Sequence, residues 1–309
     1  MIEVKELSKR YGKIAALDGV SFSAGDGEIV GLLGPNGAGK STAMNIITGY
    51  LSSDSGTVTV DGADILDEPD RVKSLVGYLP EIPPLYPDMK VSEYLNFVYE
   101  LKRCAMPRKA HLDEISKVTK ISGVWDRLIA NLSKGYRQRV GIASALVGDP
   151  KVLIFDEPTV GLDPGQIIET RALLRRLGRR HTVILSTHIL TEVQTVCDRV
   201  VIIDRGKIIA NERTGDITSA VNSGRRYAVK VCGQTQEILN ALRSVDGVSA
   251  VTATGERDLD AYVYIVEAER GRDVRRGIFS ACAKRDLPII GMEPTGMSLE
   301  EVFIKLTEK

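Results

Sequence analysis

The chain has 309 residues, 43% of them hydrophobic, enough for a sizeable core and more readily two domains than one. Lys+Arg and Asp+Glu both number 41, so charge makes no case for a nucleic-acid or acidic-lipid partner. No apolar run approaches the ~18 residues of a membrane span. No secretory leader is expected at a start that carries Glu3 and Glu6, and Cys104, Cys197, Cys232 and Cys282 lie too far apart for a disulfide framework or a zinc site.

In chain order, Ile2–Leu7 and Gly19–Ser23 read as short strands. From about Glu28 to Ala210, apolar runs alternate with helical patterns, which predicts a mostly parallel sheet covered on both faces. Its buried strands are the continuously apolar runs Ile29–Leu33, Val76–Leu79, Val152–Phe155 and Val183–Leu185. Each ends in a polar or Gly-rich element. Ligands of such sheets sit at the carboxyl ends of the strands, so these ends predict one shared site.

The first of these ends is Gly34-Pro35-Asn36-Gly37-Ala38-Gly39-Lys40-Ser41-Thr42, the phosphate-cradling pattern Gly-x-x-x-x-Gly-Lys-[Ser/Thr]. Glycines let successive N–H groups close on a polyphosphate, Lys40 supplies a point charge to the β/γ-phosphates, and Ser41 offers a hydroxyl to Mg²⁺. The helical pattern after it puts the phosphates at a helix N-terminus. Between Pro87 and Asn131 the periodicity changes. Val91, Leu95, Val98 and Leu101 recur at helical spacing with Ser92 as the cap, predicting a helical insertion over about 87–145. Ser133 then reads as a second helix N-cap, and Gly135 keeps that helix's first-turn amides open to an anion. Val152–Phe155 runs into Asp156 and Glu157. After a phosphate loop, this shape assigns Asp156 to Mg²⁺ and Glu157 to a base that polarises the water attacking the γ-phosphate.

Arg205–Arg226 is polar and weakly patterned and reads as the interdomain connection, with 216–226 as the linker between a domain at 1–215 and one at 227–309. The tail then predicts strand Tyr227–Val231, helix Gln236–Val245, strands Val248–Thr254 and Ala261–Glu267, helix Asp273–Lys284, strand Pro288–Met292 and a last helix Leu299–Thr307. The order β-α-β-β-α-β is the ferredoxin-like arrangement, a small α+β accessory domain. His111 and His181 are expected to be structural, and Glu267, Glu269, Arg270 and Arg272 to form a solvated face.

Leu132-Ser133-Lys134-Gly135-Tyr136-Arg137-Gln138-Arg139 resembles the Leu-Ser-Gly-Gly-Gln signature of ATP-binding cassette (ABC) transporter nucleotide-binding subunits. The resemblance spans roughly residues 1–215 and implies a P-loop NTPase of the ABC ATPase fold: a mostly parallel sheet, N-terminal antiparallel strands and a helical insertion. It also implies a head-to-tail homodimer, in which each ATP lies between the phosphate loop of one subunit and Ser133 and Gly135 of the other. Tyr11 matches the family's adenine-stacking aromatic, Asp163 within Gly161-Leu162-Asp163 the dimer-seam aspartate, and His188 the histidine that contacts the γ-phosphate. Glu81 stands where the family usually has Gln. It can ligate Mg²⁺ but cannot donate an amide N–H, which puts the coupling between hydrolysis and transport in question. Lys134 and Tyr136 are further departures from the signature.

The tail, ending Ser298-Leu299-Glu300-Glu301-Val302-Phe303, resembles the subgroup that serves ABC-2-type export permeases, and Glu81 is similar to the gliding-motility and drug-efflux branch. The resemblance therefore implies an ATPase that powers a separate permease and lies peripherally on the cytoplasmic face of the membrane. The alternative is a soluble ABC ATPase acting on ribosomes or DNA. Such relatives usually carry paired cassettes, coiled-coil arms or zinc modules, none of which is visible. A GTPase would call for Asn-Lys-x-Asp, which is absent. The cargo is not written in this chain.

Overall fold

The computed structural model describes residues 1–215, 226–269 and 271–295. They fall into two compact units, Met1–Thr214 and Gly215–Lys309. The expected linker 216–226 lies, except for Arg226, outside the described residues, as do the expected last helix Leu299–Thr307 and Ser298–Phe303.

The first unit opens with an antiparallel sheet of order β2-β1-β4-β5: β1 (Ile2–Tyr11), β2 (Ile14–Ala24), β4 (Ser55–Val60) and β5 (Ala63–Asp64). The first two strands run further than their apolar centres, because a tight turn carries the pairing on to Tyr11 and Ile14. The second sheet has the order β10-β9-β3-β8-β7-β6. Its members are β3 (Ile29–Leu33), β6 (Val76–Leu79), β7 (Val152–Asp156), β8 (Thr182–Thr187), β9 (Arg199–Asp204) and β10 (Lys207–Arg213). All pair in parallel except β10, which runs antiparallel along β9.

This overturns the reading of Arg205–Arg226 as connection throughout: Lys207–Arg213 is an edge strand. Its polar residues are what an edge facing water selects, and they mask the strand pattern. Every residue of β3 and β7 is buried. Each such aliphatic side chain contributes on the order of 1.5–3 kcal/mol by leaving water. The two sheets share a core around α1 (Lys40–Ile47), where Ile2, Val4 and Val58 meet Met44 and Ile47 on one side and Val30, Ile154 and Ile184 on the other.

The remaining helices of this unit are α2 (Pro69–Leu75), α3 (Val91–Leu101), α4 (Arg108–Val118), α5 (Lys134–Leu146), α6 (Pro164–Gly178) and α7 (Leu190–Val196). Ser92 is not the cap of α3 but lies in its first turn. The helix starts two residues earlier than a Ser92 cap implies, after Lys90, whose amide donates to the Glu93 carboxylate at 2.9 Å. A carboxylate reaching back to the amide before the first turn takes the role expected of the serine. At α5 the side chain of Ser133 does accept from the Tyr136 amide, at 3.4 Å. Asp163 caps α6 through the Gln166 amide at 2.9 Å, with Pro164 in the first helical position.

The second unit is the ferredoxin-like arrangement. β11 (Arg226–Cys232), β12 (Val248–Asp258), β13 (Ala261–Ala268) and β14 (Ile289–Thr295) form an antiparallel sheet of order β12-β13-β11-β14. Val229, Val231, Tyr264 and Val266 pack with Ile238 and Leu242 of α8 (Thr235–Arg243) and Ile278 of α9 (Arg275–Ala283). Among the described residues, no helix of either unit is long and apolar enough to cross a membrane.

Candidate nucleotide-binding site

The strand order makes β3, β8, β7 and β6 consecutive although they are far apart in the chain. The parallel register then levels their carboxyl ends: Leu33 pairs with Thr187, Asp156 with Ser186, and Leu79 with Phe155. The segments leaving these strands therefore emerge at one height, so the phosphate loop, His188, Glu157 and Glu81 share a cavity of about 390 Å³.

The loop between β3 and α1 has little freedom to change. Gly39, ahead of α1, has φ 110°, and a Cβ there would lie 2.4 Å from the Ala16 carbonyl oxygen. A Cβ on Gly34 would lie 2.3 Å from the carbonyl oxygen of Ile203. Neither position admits a side chain, so the backbone of the loop is pressed against β2 and β9. Lys40, only 6% exposed, donates from Nζ to the carbonyls of Gly34 at 2.8 Å and Pro35 at 3.2 Å. The same ammonium is 3.9 Å from Glu157 Oε1.

Glu157 follows β7 with φ 47°, a left-handed backbone uncommon for glutamate and costing on the order of 1 kcal/mol. The amide of Glu157 is held by both oxygens of Ser186, the carbonyl at 3.2 Å and the hydroxyl at 3.1 Å. The hydroxyl of Ser186 in turn donates to Asp156. This twist turns the Glu157 carboxylate to His188, whose Nδ1 is 2.9 Å from both Oε1 and Oε2. An ionised carboxylate only accepts, so Nδ1 carries a proton and donates it to Glu157.

Burial raises the Glu157 carboxyl above the usual glutamate range, offset in part by the hydrogen bond and charge of His188 and by Lys40. Burial likewise lowers the Lys40 ammonium, opposed by Glu157, Asp156 and Glu81. A carboxylate raised in this way is a stronger proton acceptor than an exposed one.

The cavity is lined by Asn36, Gly37, Gly39, Lys40, Ser41, Thr42, Glu81, Glu157 and His188, with Ile14, Ala15, Ala16 and Val160 as walls. Gly34 and Ala38 are buried beneath it and Pro35 is half-buried. Asp156 is buried under the Ser186 hydroxyl. Tyr11 stands at the β1–β2 turn, half exposed, and is not among the lining residues. Ser133, Gly135 and Asp163 lie away from this cavity at the starts of α5 and α6. There the Gln166 side chain covers Gly135, and the ammonium end of Lys134 occupies the space a Cβ on Gly161 would need.

Hydroxyl and carboxylate oxygens are hard donors that suit Mg²⁺. Among the described residues, no cluster of three or more His, Cys, Asp or Glu could hold a metal alone. Ser41 and Glu81 line the cavity and Asp156 lies buried at the end of β7, and their oxygens are of the type such an ion takes.

A family profile described as ABC transporter matches residues 17–160. Over 316 residues, 99% of this chain and 98% of the relative, the chain is 34% identical to the linearmycin resistance ATP-binding protein LnrL of Bacillus subtilis (strain 168). The chain belongs to the ABC transporter ATP-binding proteins. This ABC ATPase is also 36% identical over 211 residues to the Nod factor export ATP-binding protein I of Burkholderia orbicola (strain AU 1054), covering 68% of this chain and 69% of that one. It is similar to a solved dimeric, post-hydrolysis ATP-binding cassette bound to ADP and Pi, at 27% identity and TM-score 0.63, over 69% of this chain and 99% of that one.

Sequence reasoning missed Ser186, which holds both Asp156 and the backbone of Glu157, and the wall formed by Ile14–Ala16. The signal for Ser186 was present: a hydroxyl pair, Ser186-Thr187, closes an otherwise apolar strand. Nothing in the sequence marked Ile14–Ala16, because a hairpin arm becomes a cavity wall only through tertiary packing.

Proposed function

We propose that this ABC ATPase is the motor subunit of an ABC-2-type exporter, binding and hydrolysing ATP to drive a separate membrane permease from its cytoplasmic face. The observation that carries the reading is the single cavity in which the phosphate loop faces Lys40, Glu81, Glu157 and His188. In it, the loop amides and Lys40 hold the triphosphate, and Tyr11, exposed at the β1–β2 turn, stacks on the base. Ser41, Asp156 and Glu81 would hold Mg²⁺, which would supply positive charge against the phosphates when bound. Glu157 takes the proton of the attacking water. His188 keeps that carboxylate aimed and presents its other ring nitrogen to the γ-phosphate. Ser133 and Gly135 serve the partner copy's ATP in a head-to-tail homodimer, with Asp163 at the seam.

Export is favoured by the likeness to proteins named for linearmycin resistance and Nod factor export. A permease dock is favoured by the exposed side chains Ile82, Tyr86 and Phe97, the last two stacked edge-on with centroids 5.6 Å apart, beside the Glu81 segment.

The test is Glu157→Gln. It should keep ATP binding, slow hydrolysis by roughly 10²–10⁴-fold, the usual contribution of a general base, and accumulate a nucleotide-bound dimer. Tagged and pulled from detergent-solubilised membranes with ATP and Mg²⁺, it should bring down a stoichiometric polytopic membrane protein, read by mass spectrometry. Unchanged turnover removes Glu157 from the chemistry. Enrichment of ribosomal or DNA-associated proteins instead of a membrane protein overturns the motor reading.

A further inference from the structure

Glu192 lies in the first turn of α7 and is only 1% exposed. A carboxylate taken that far out of water is costly unless its oxygens are satisfied, and an apolar residue would fill the same volume more cheaply. Its partners are specific. Oε1 accepts from the hydroxyl of Thr159, and Oε2 accepts from the hydroxyl of Thr187 at 2.8 Å. Arg171 of α6 stands 3.7 Å from Oε1 and supplies the opposite charge. Both threonines are buried.

The two threonines occupy telling places. Thr159 comes two residues after Glu157, and Thr187 immediately precedes His188. Thr187 Oγ1 also accepts from the amide of Ile189 at 3.0 Å, so the same hydroxyl holds the turn on both sides of His188. One buried carboxylate therefore grips, with a different oxygen for each, the two chain segments whose side chains meet in the 2.9 Å contact between Glu157 and His188.

We propose that Glu192 is a positioning residue for hydrolysis, setting the separation and aim of the Glu157–His188 pair from behind. Glu192 touches neither nucleotide nor reacting atoms. It acts through Thr159 on the segment after the base and through Thr187 on the segment before the histidine. A shift of about 1 Å at a reacting group costs on the order of 10²-fold in rate, so a clamp of this kind justifies its burial. The inference rests on the reading of Glu157 as the base.

The test is a steady-state comparison in the full chain of Glu192→Gln and Glu192→Asp, each also placed in the Glu157→Gln background. Glutamine keeps the shape but has a single acceptor oxygen and no charge, so one threonine must turn from donor to acceptor and Arg171 loses its counter-charge. The expected result is a kcat lowered roughly 10–100-fold with the ATP dissociation constant held within about twofold, the split of an effect confined to the transition state. Aspartate, which keeps both oxygens, should recover part of the loss. In the Glu157→Gln background the Glu192 change should lower kcat little further, because the residue it positions is already disabled.

Unchanged kcat, a matching loss of ATP affinity, or an equal fold-loss in both backgrounds overturns the proposal. Full turnover by Glu157→Gln alone sinks the base assignment instead, whatever Glu192 does. If Glu192→Gln folds poorly, Thr187→Val removes one of the two hydroxyl grips at constant size and is judged by the same criteria.

Discussion

The site is made of ordinary residues whose chemistry comes from where the strands end. Lys40 and Ser41 could be singled out in the sequence by the pattern of residues 34–42, and Asp156 and Glu157 by the short, continuously apolar run that they follow, which reads as a buried strand. Glu192 was not legible. An acid in a seven-residue helix reads as solvated surface, and only packing against Thr159 and Thr187 shows it to be interior. Ser92 reads as a cap for a related reason: two residues could close the start of α3, and Glu93 reaches the free amide first. Glu81 is exposed at the cavity. A carboxylate there adds a negative charge and a hard oxygen to the proposed metal position, so Glu81→Gln should raise the Mg²⁺ concentration for half-maximal hydrolysis by about 3–10-fold, the loss of one charge–charge contact. ATP affinity measured without metal should stay the same or improve. A Mg²⁺ titration that superimposes on the parent removes Glu81 from the metal's surroundings.

Among elements, β3 is the keystone, flanked by β8 and β9. Its extent, and that of β6, is what the apolar runs indicate, while β7 and β8 extend slightly beyond theirs to include the polar ends that carry chemistry. Strand order was beyond the sequence, since no local pattern says that residue 29 meets residue 183. The anchor of that order is explicit in the structure. Arg199, at the start of β9, donates from Nε to Glu28 Oε1 at 2.7 Å and from Nη2 to Oε2 at 3.1 Å, across 171 residues. Asp198 beside it accepts from the Ile29 amide at 2.9 Å. The Arg199 hydrogen bond is the main cause holding the Glu28 carboxyl below the usual glutamate range, against a smaller opposing effect of burial. A depressed folded-state pKa means stability present above the unfolded carboxyl's pKa and lost as pH falls through the folded value. Glu28→Gln should therefore cost about 1–2 kcal/mol at neutral pH. The gap to the parent should close as pH is lowered through the carboxylate range. Urea unfolding of both proteins from pH 7 to pH 3 checks this, and a gap that stays constant with pH would assign the effect to shape rather than charge.

At the scale of the molecule, every residue of the cavity belongs to Met1–Thr214, and the last contacts of that unit are made by Thr214, whose amide donates to Asp198 and whose hydroxyl donates to the Cys197 carbonyl at 2.8 Å. A chain ended at residue 215 should bind ATP within about threefold of the full protein in a titration, as a unit with its own core does. Loss of binding would mean that the ferredoxin-like unit contributes to the site. The ferredoxin-like order was readable in advance because its strands and helices alternate cleanly, whereas β10 was hidden by its polar edge. The interleaving of the central sheet also has a consequence for how the protein is made. β3 and the phosphate loop leave the ribosome early, but the strands on either side of β3 start at Thr182 and Arg199. At ~5–20 residues per second, an interval of about 150 residues lasts roughly 8–30 s. For that whole time the most apolar strand of the nascent chain has neither of its neighbours, and the loop that will cradle the nucleotide lacks the β9 carbonyl it rests on. Cellular ATP cannot rescue the newborn protein by binding, because the nucleotide's seat is among the last parts of the first unit to take shape.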